Sequence, residues 1–246
     1  MKLFAIIVLI LFYTVINLVL MLLPGGSFMI SQVGRAYAWL SLKVIGAKVT
    51  IMGDLPTDFK HKVFVSNHLS YVDVMVLMAI LPARFVTFTE FQDIPGFGIL
   101  SKLSGTLFVH RSQPALVKKD VLQIEKAIKT GSTVVFFPEG SSFDGSALQP
   151  FKSSLFQSAI EAKASVYPIC IRYLEINNEP VTAKNRDQVF YYGDMNLMPQ
   201  LIRVLGVDSI NIEVIFESPI DASTCHRKEL AEQAQAAIQK HFFAVK

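Results

Sequence analysis

Within the apolar run FVSNHLSYVDVMVL, residues 64–77, His68 and Asp73 stand five positions apart. An imidazole with one ring nitrogen bonded to a carboxylate keeps a fixed tautomer, and its other nitrogen is free to take a proton from a hydroxyl. The spacing restricts how the two can meet. On one ideal helix they would lie roughly 140° apart around the axis, so His68 must stay in the loop before the helix while Asp73 sits in its first turn. Ser70 supplies the N-cap signal for such a start. The pattern Ser70-x-x-Asp73 is also a capping box, which accounts for the aspartate without any chemistry.

A second polar island closes the apolar stretch TVVFF, in TVVFFPEGSSFDGS, residues 133–146. Turn formation accounts for Pro138 and Gly140. It does not ask for Glu139, which at a strand's end faces either solvent or a ligand hydroxyl. The tract GSSFDG fails as a serine-hydrolase elbow, because G-x-S-x-G needs glycine where Asp144 stands. A third island, SGTLFVHR, ends in His110 and Arg111, and a guanidinium there suits an anionic group such as phosphate. A surface ion pair is the alternative use of Arg111.

From Ala47 onward, short β-branched stretches alternate with helical patterns. AKVTIMG, KVFVSN, RFVTFT, TLFVHR, STVVFF, SVYPICIRYL, QVFYYG and INIEVIFE read as strands. Helices are expected at Tyr71–Leu81, Gly96–Ser104, Pro114–Thr130, Ser153–Lys163 and Leu197–Leu205, with a last, mostly polar surface helix at Ser223–Phe243. The alternation predicts an α/β fold with a mainly parallel, mixed sheet flanked by helices, and sites at strand ends.

The chain has 246 residues, of which 52% are hydrophobic, and the excess sits at the amino terminus. Leu3–Leu23 carries no charge and at about 1.5 Å per residue is long enough to cross a hydrocarbon core of about 30 Å. The following LPGGS lacks a small-x-small cleavage site, so an uncleaved anchor is favoured over a signal peptide. After the Pro24-Gly25-Gly26 break, Phe28–Gly46 reads as an amphipathic interfacial helix. Residues 1–46 are therefore expected to form a membrane-associated segment and 47–246 the catalytic domain. The net charge of +3, with the two signs mingled, gives no footprint for nucleic acid. Arg35, Lys43 and Lys48 favour a cytoplasmic catalytic part at the inner membrane. Cys170 and Cys225 are far apart and outside any metal-ligand spacing, so reduced thiols are expected.

In their order, NHLSYVD, GTLFVHR, FPEGSS and VYPICI resemble the four blocks of the lysophospholipid acyltransferase family, across roughly Val63–Arg172. The resemblance implies a glycerolipid-acyltransferase-like fold and acyl transfer from a thioester to the free hydroxyl of a lysolipid. The leading acceptor is 1-acyl-sn-glycerol-3-phosphate, giving phosphatidic acid. His68 would be the general base and Asp73 its orienting partner, with the substrate supplying the nucleophile. The implied substrate-binding set is Asn67 from the first block, Gly105 and Arg111 from the second, Glu139, Gly140 and Ser141 from the third, and Pro168 from the fourth. No metal or resident cofactor is implied, and acyl-CoA or acyl carrier protein is the co-substrate. The partners are then the bilayer and the lysolipid.

This chain departs from the family at two places. His110 stands where an acidic residue is common, and Ser141-Ser142 replaces the usual Thr-Arg, which removes one phosphate-binding arginine. Lys152 is the candidate to restore that charge. The departure resembles the branch that includes lyso-ornithine lipid acyltransferases, which makes an aminolipid acyltransferase the second reading. A non-catalytic lipid-binding protein is the third.

Overall fold

The computed structural model describes residues 1–22, 26–94, 96–111 and 114–246. Its centre is a sheet of strands β1 (Ala47–Met52), β2 (Val63–Ser66), β3 (Ala83–Phe88), β4 (Leu107–Val109), β5 (Thr133–Phe136), β6 (Ser165–Ile176) and β8 (Ile210–Phe216), in the order β1-β8-β6-β2-β5-β3-β4. Two short strands, β7 (Glu179–Pro180) and β9 (Ile220–Asp221), pair with β6. The five strands from β6 to β4 run parallel. β8 is antiparallel to β6, and β1 runs parallel to β8. The mainly parallel, mixed sheet read from the sequence is thus the one observed.

β2 lies between β5 and β6 with all four residues buried, as expected for a strand that is apolar at almost every position and covered on both faces. On one face, Phe64, Val135, Ile169 and Ile171 pack against α2 (Gly26–Ile45), α3 (Tyr71–Ile80) and α7 (Leu197–Gly206). On the other, Val63, Val65, Val134 and Phe136 pack against α5 (Pro114–Lys129), α6 (Phe156–Ala162) and α8 (Arg227–Gln239). The parallel arrangement brings the carboxyl ends of β2, β5, β3 and β4 to one edge, and the polar islands of the sequence stand there.

The first helix, α1 (Lys2–Leu20), is long and apolar enough to cross a membrane. It packs on α2 through a side that includes Tyr13, Asn17 and Leu20, and Phe4, Leu11, Phe12 and Val15 are exposed. Lys2 Nζ donates to the carbonyl of Val207 and the Tyr13 hydroxyl bonds Ser104 Oγ at 2.8 Å. Ser104 ends α4 (Phe97–Leu103). The expected break at Pro24 and Gly25, and Leu23 at the end of the expected span, lie outside the described residues.

Two expectations need correction. QVFYYG, residues 188–193, is no strand: a 3₁₀ turn at Arg186–Gln188 leads into a loop. Its backbone is already engaged, since Val189 O accepts Ser70 Oγ at 2.7 Å, Tyr191 N donates to Leu69 O at 3.0 Å and Phe190 O accepts Gln200 Nε2 at 2.7 Å. A segment so bonded is tied to α3 and α7 rather than to a ladder, and fully buried Val189 and Phe190 act as core plugs. The last helix is shorter than expected, and it is not only a surface element, because Leu230, Ala231, Ala234 and Ile238 are buried along one side. Both cysteines are free.

Candidate active site

β2 ends at Ser66, and Asn67 extends its pairing with a side chain. Asn67 Nδ2 donates to Ile171 O at 2.9 Å and Oδ1 accepts Ile171 N at 2.8 Å. With both ends of the amide used and no exposure, Asn67 fastens the strand end to β6 and does not face a substrate. The next residue, His68, is held through its backbone: its N–H donates to Glu139 Oε1 at 2.6 Å and its carbonyl accepts Phe143 N at 3.0 Å.

Asp73 lies at the third position of α3 and is fully buried. Its Oδ2 accepts from His68 Nδ1 at 2.9 Å, Leu69 N at 2.7 Å and Ser70 N at 2.9 Å. Its Oδ1 accepts from the Tyr173 hydroxyl at 2.6 Å. Ser70 Oγ in turn accepts Val72 N at 3.2 Å. The capping box and the histidine-orienting carboxylate are therefore one group performing both tasks.

Four donors converge on Asp73, so it acts as acceptor throughout, and the Nδ1 of a neutral His68 carries the proton. That leaves the lone pair on Nε2, which has no protein partner among the described residues. The ring is stacked on Phe137, with centroids 4.0 Å apart and planes 15° apart. Its side chain is 18% exposed, accessible from outside while its orientation is fixed. Such a group is built to accept a proton from an incoming hydroxyl.

Sequence reasoning missed Tyr173. It comes from the far part of β6, a hundred residues away, and is buried with its hydroxyl on Asp73. Burial first, and the neighbouring Asp73 charge second, push its phenol well above the usual range, which keeps it a donor. Phe137 was also missed, although the apolar stretch before Pro138 contains it.

Glu139 faces neither solvent nor an open ligand position, which corrects the expectation for it. It is 4% exposed, with Oε1 on His68 N and Oε2 on Gln149 N at 3.0 Å. Burial pushes its carboxyl up to about 7 against the pull of the two backbone donors, with the Asp73 charge adding to the rise. It ties the loop after β5 to the histidine.

Gly140 follows with φ +79°, a left-handed conformation open to glycine. A Cβ on it would lie 2.6 Å from Lys152 Nζ, so the lysine crosses the space that glycine leaves. From the other direction Arg111 reaches the Gly140 carbonyl at 3.5 Å, with its guanidinium 4.3 Å from the centre of the Phe88 ring. Both cations are exposed, and among the described residues neither has a carboxylate partner. Ser141 is exposed beside them. Arg111, Lys152, Gly140 and Ser141 are thus brought together one residue from the group that holds His68.

Gly105 and Pro168 are not brought to this place. Gly105, φ +72°, terminates α4: its N–H bonds Lys102 O at 3.0 Å and that of Thr106 bonds Ser101 O at 3.0 Å, a Schellman motif. It lies before β4, at the opposite end of that strand from Arg111, and its carbonyl accepts Arg84 Nε at 2.6 Å. Pro168 is buried in β6 opposite Val65, at the break where β6 stops pairing with β8 and begins pairing with β9. A strand residue without an N–H is tolerated at such an irregularity. Among the described residues there is no cluster of three His, Cys, Asp or Glu side chains suited to a metal ion.

A sequence model of the family described as Acyltransferase matches residues 48–172. The chain is 30% identical over 244 residues to a protein of Rhizobium meliloti (strain 1021) named lyso-ornithine lipid O-acyltransferase, covering 89% of this chain and 83% of that protein. It is 30% identical over 162 residues to a Neisseria gonorrhoeae protein named 1-acyl-sn-glycerol-3-phosphate acyltransferase, covering 64% of this chain and 60% of the other. The crystal structure of the 1-acyl-sn-glycerophosphate (LPA) acyltransferase PlsC from Thermotoga maritima superposes with a TM-score of 0.65 at 17% identity, over 98% of this chain and 96% of that one. That likeness is one of fold.

Proposed function

The chain belongs to the acyltransferase family, and on that premise we propose that it moves a fatty acyl group from an acyl thioester to the free hydroxyl of a lysolipid. One observation carries this reading. His68 is clamped by a buried carboxylate at Nδ1, open at Nε2, and set beside two cations that, among the described residues, have no carboxylate partner.

His68 Nε2 takes the hydroxyl proton as the acceptor oxygen attacks the thioester carbonyl. Asp73 stabilises the imidazolium that forms. Collapse of the tetrahedral intermediate breaks the C–S bond, and the imidazolium returns its proton to the leaving thiolate. The products are an ester and a free thiol, with no acyl-enzyme. The step as proposed uses acyl-CoA or acyl carrier protein as co-substrate and draws on no resident cofactor.

The leading acceptor is 1-acyl-sn-glycerol-3-phosphate, because Arg111 and Lys152 converge on Gly140, where an anionic head group would lie close to His68. The second reading, lyso-ornithine lipid, is favoured by the relative of that name, matched over most of its length. An ornithine carboxylate meets the same cations. Membrane association fits the exposed apolar side of α1 and the exposed Trp39 on α2, over whose ring Lys43 lies at 3.8 Å, an interfacial arrangement. We place the catalytic part on the cytoplasmic side of the inner membrane.

The test is an acyl-transfer assay on detergent-solubilised protein and its His68→Ala variant, with lysophosphatidic acid and lyso-ornithine lipid offered in turn. Transfer to one acceptor that disappears in the folded variant supports the reading and selects the acceptor. Undiminished transfer by His68→Ala would overturn the mechanism.

A further inference from the structure

A second histidine–aspartate pair stands at the end of β4. Asp120, on α5, is 2% exposed, and its Oδ2 accepts His110 N at 2.8 Å while its Oδ1 lies 3.0 Å from His110 Nδ1. Both carboxylate oxygens are spent on one residue, through backbone and ring. A buried carboxylate is costly to desolvate, and a fold that only needed α5 beside β4 would obtain that from apolar packing.

The location gives the pair a use. β4 is three residues long, it is the last strand in the sheet order, and among the described residues it pairs only with β3. The end of such a strand is held by few backbone bonds. The residue after His110 is Arg111, whose long side chain must reach Gly140 across the end of β3, passing over Phe88. We infer that His110 and Asp120 are positioning residues for Arg111: the carboxylate fixes the backbone from which the guanidinium is aimed at the acceptor's anionic group. The inference rests on the reading of Arg111 as an acceptor-binding residue. It also accounts for a histidine at position 110, since an acidic side chain there would repel Asp120 and could not donate to it.

The test is steady-state kinetics with lysophosphatidic acid in mixed micelles on the wild type, Arg111→Ala, Asp120→Ala, the Arg111→Ala/Asp120→Ala double variant, His110→Ala and His110→Asn. Positioning predicts that Asp120→Ala raises the acceptor KM about tenfold and changes kcat by less than about twofold. In the double variant Asp120→Ala should add nothing to the KM of Arg111→Ala, because there is no guanidinium left to aim. The asparagine amide stands close to where Nδ1 was, so His110→Asn should recover most of what His110→Ala loses.

If a folded Asp120→Ala keeps the wild-type KM, loses kcat instead, or adds its full effect to Arg111→Ala, the inference is overturned. If Asp120→Ala does not fold, the two His110 variants decide: a wild-type KM in His110→Ala, or equal losses in both, overturns it. An unchanged KM in Arg111→Ala would instead bring down the acceptor-binding reading of Arg111 itself.

Discussion

Replacing Asp73 by Asn leaves the side chain's shape and removes its charge and half its accepting capacity. With the amide oxygen at the Oδ2 position, the bonds from His68 Nδ1, Leu69 N and Ser70 N persist. The amide nitrogen then faces the Tyr173 hydroxyl, which rotates to accept. The helix cap therefore survives, and exchanging charge-assisted bonds for neutral ones costs about 2–4 kcal/mol of stability. The rate suffers for a different reason. The imidazolium formed during proton transfer loses a carboxylate in direct hydrogen-bond contact, and two unit charges about 4 Å apart at an effective dielectric of about 20 interact by about 4 kcal/mol. At about 1.4 kcal/mol per tenfold, kcat should fall on the order of a thousandfold, with the acceptor KM within about threefold. Thiol release from an acyl thioester in mixed micelles measures kcat, and a thermal melt on the same sample confirms folding. A folded Asp73→Asn with kcat within about fivefold of wild type would refute the orienting role and leave Asp73 as a helix cap alone.

Tyr173→Phe removes the donor on Asp73 Oδ1 and leaves a buried carboxylate oxygen short of a partner, so the melt should register a loss of about 1–3 kcal/mol and kcat a fall of less than about tenfold. For Glu139 the folded carboxyl is raised above its unfolded value, so its contribution to stability is full below about pH 4.5 and is lost as pH rises through about 7. An elevation from 4.5 to about 7 corresponds to roughly 3 kcal/mol. Glu139→Gln has no charge to bury, so denaturant titrations between pH 5 and 8 should show wild type losing ground against it by that order, and parallel curves would contradict the assignment. Gly140→Ala pays for a positive φ and displaces Lys152, and should cost about 1–3 kcal/mol and raise the acceptor KM in the same kinetic assay.

The alternation of strands and helices, the apolar amino-terminal helix, and the order of the islands around His68, Arg111 and Glu139 are all legible in the amino-acid order. These are local properties: periodicity, turn chemistry and a capping pattern are written within a dozen residues. It also placed Ser70 and Asp73 correctly at the start of α3, because an N-cap and the third helical position are fixed by near neighbours. What each polar residue touches was decided only by the tertiary structure. Asn67 reads like a site residue and proves to be a strand fastener, since its partner Ile171 lies 104 positions away. Glu139 read as facing either solvent or a ligand hydroxyl, because nothing local shows that His68 and Gln149 will enclose it. Gly105 stands six residues from Arg111 in the chain, yet β4 runs between them and puts them at opposite ends of that strand. Tyr173 gave no signal at all, and His110 stood out only as a departure from the family pattern, with nothing near it in the chain to show that Asp120 would meet it. A hydrogen bond is a relation between two groups, and where both partners are brought together by sheet order and helix packing, neither one's neighbours in the chain carry a trace of it.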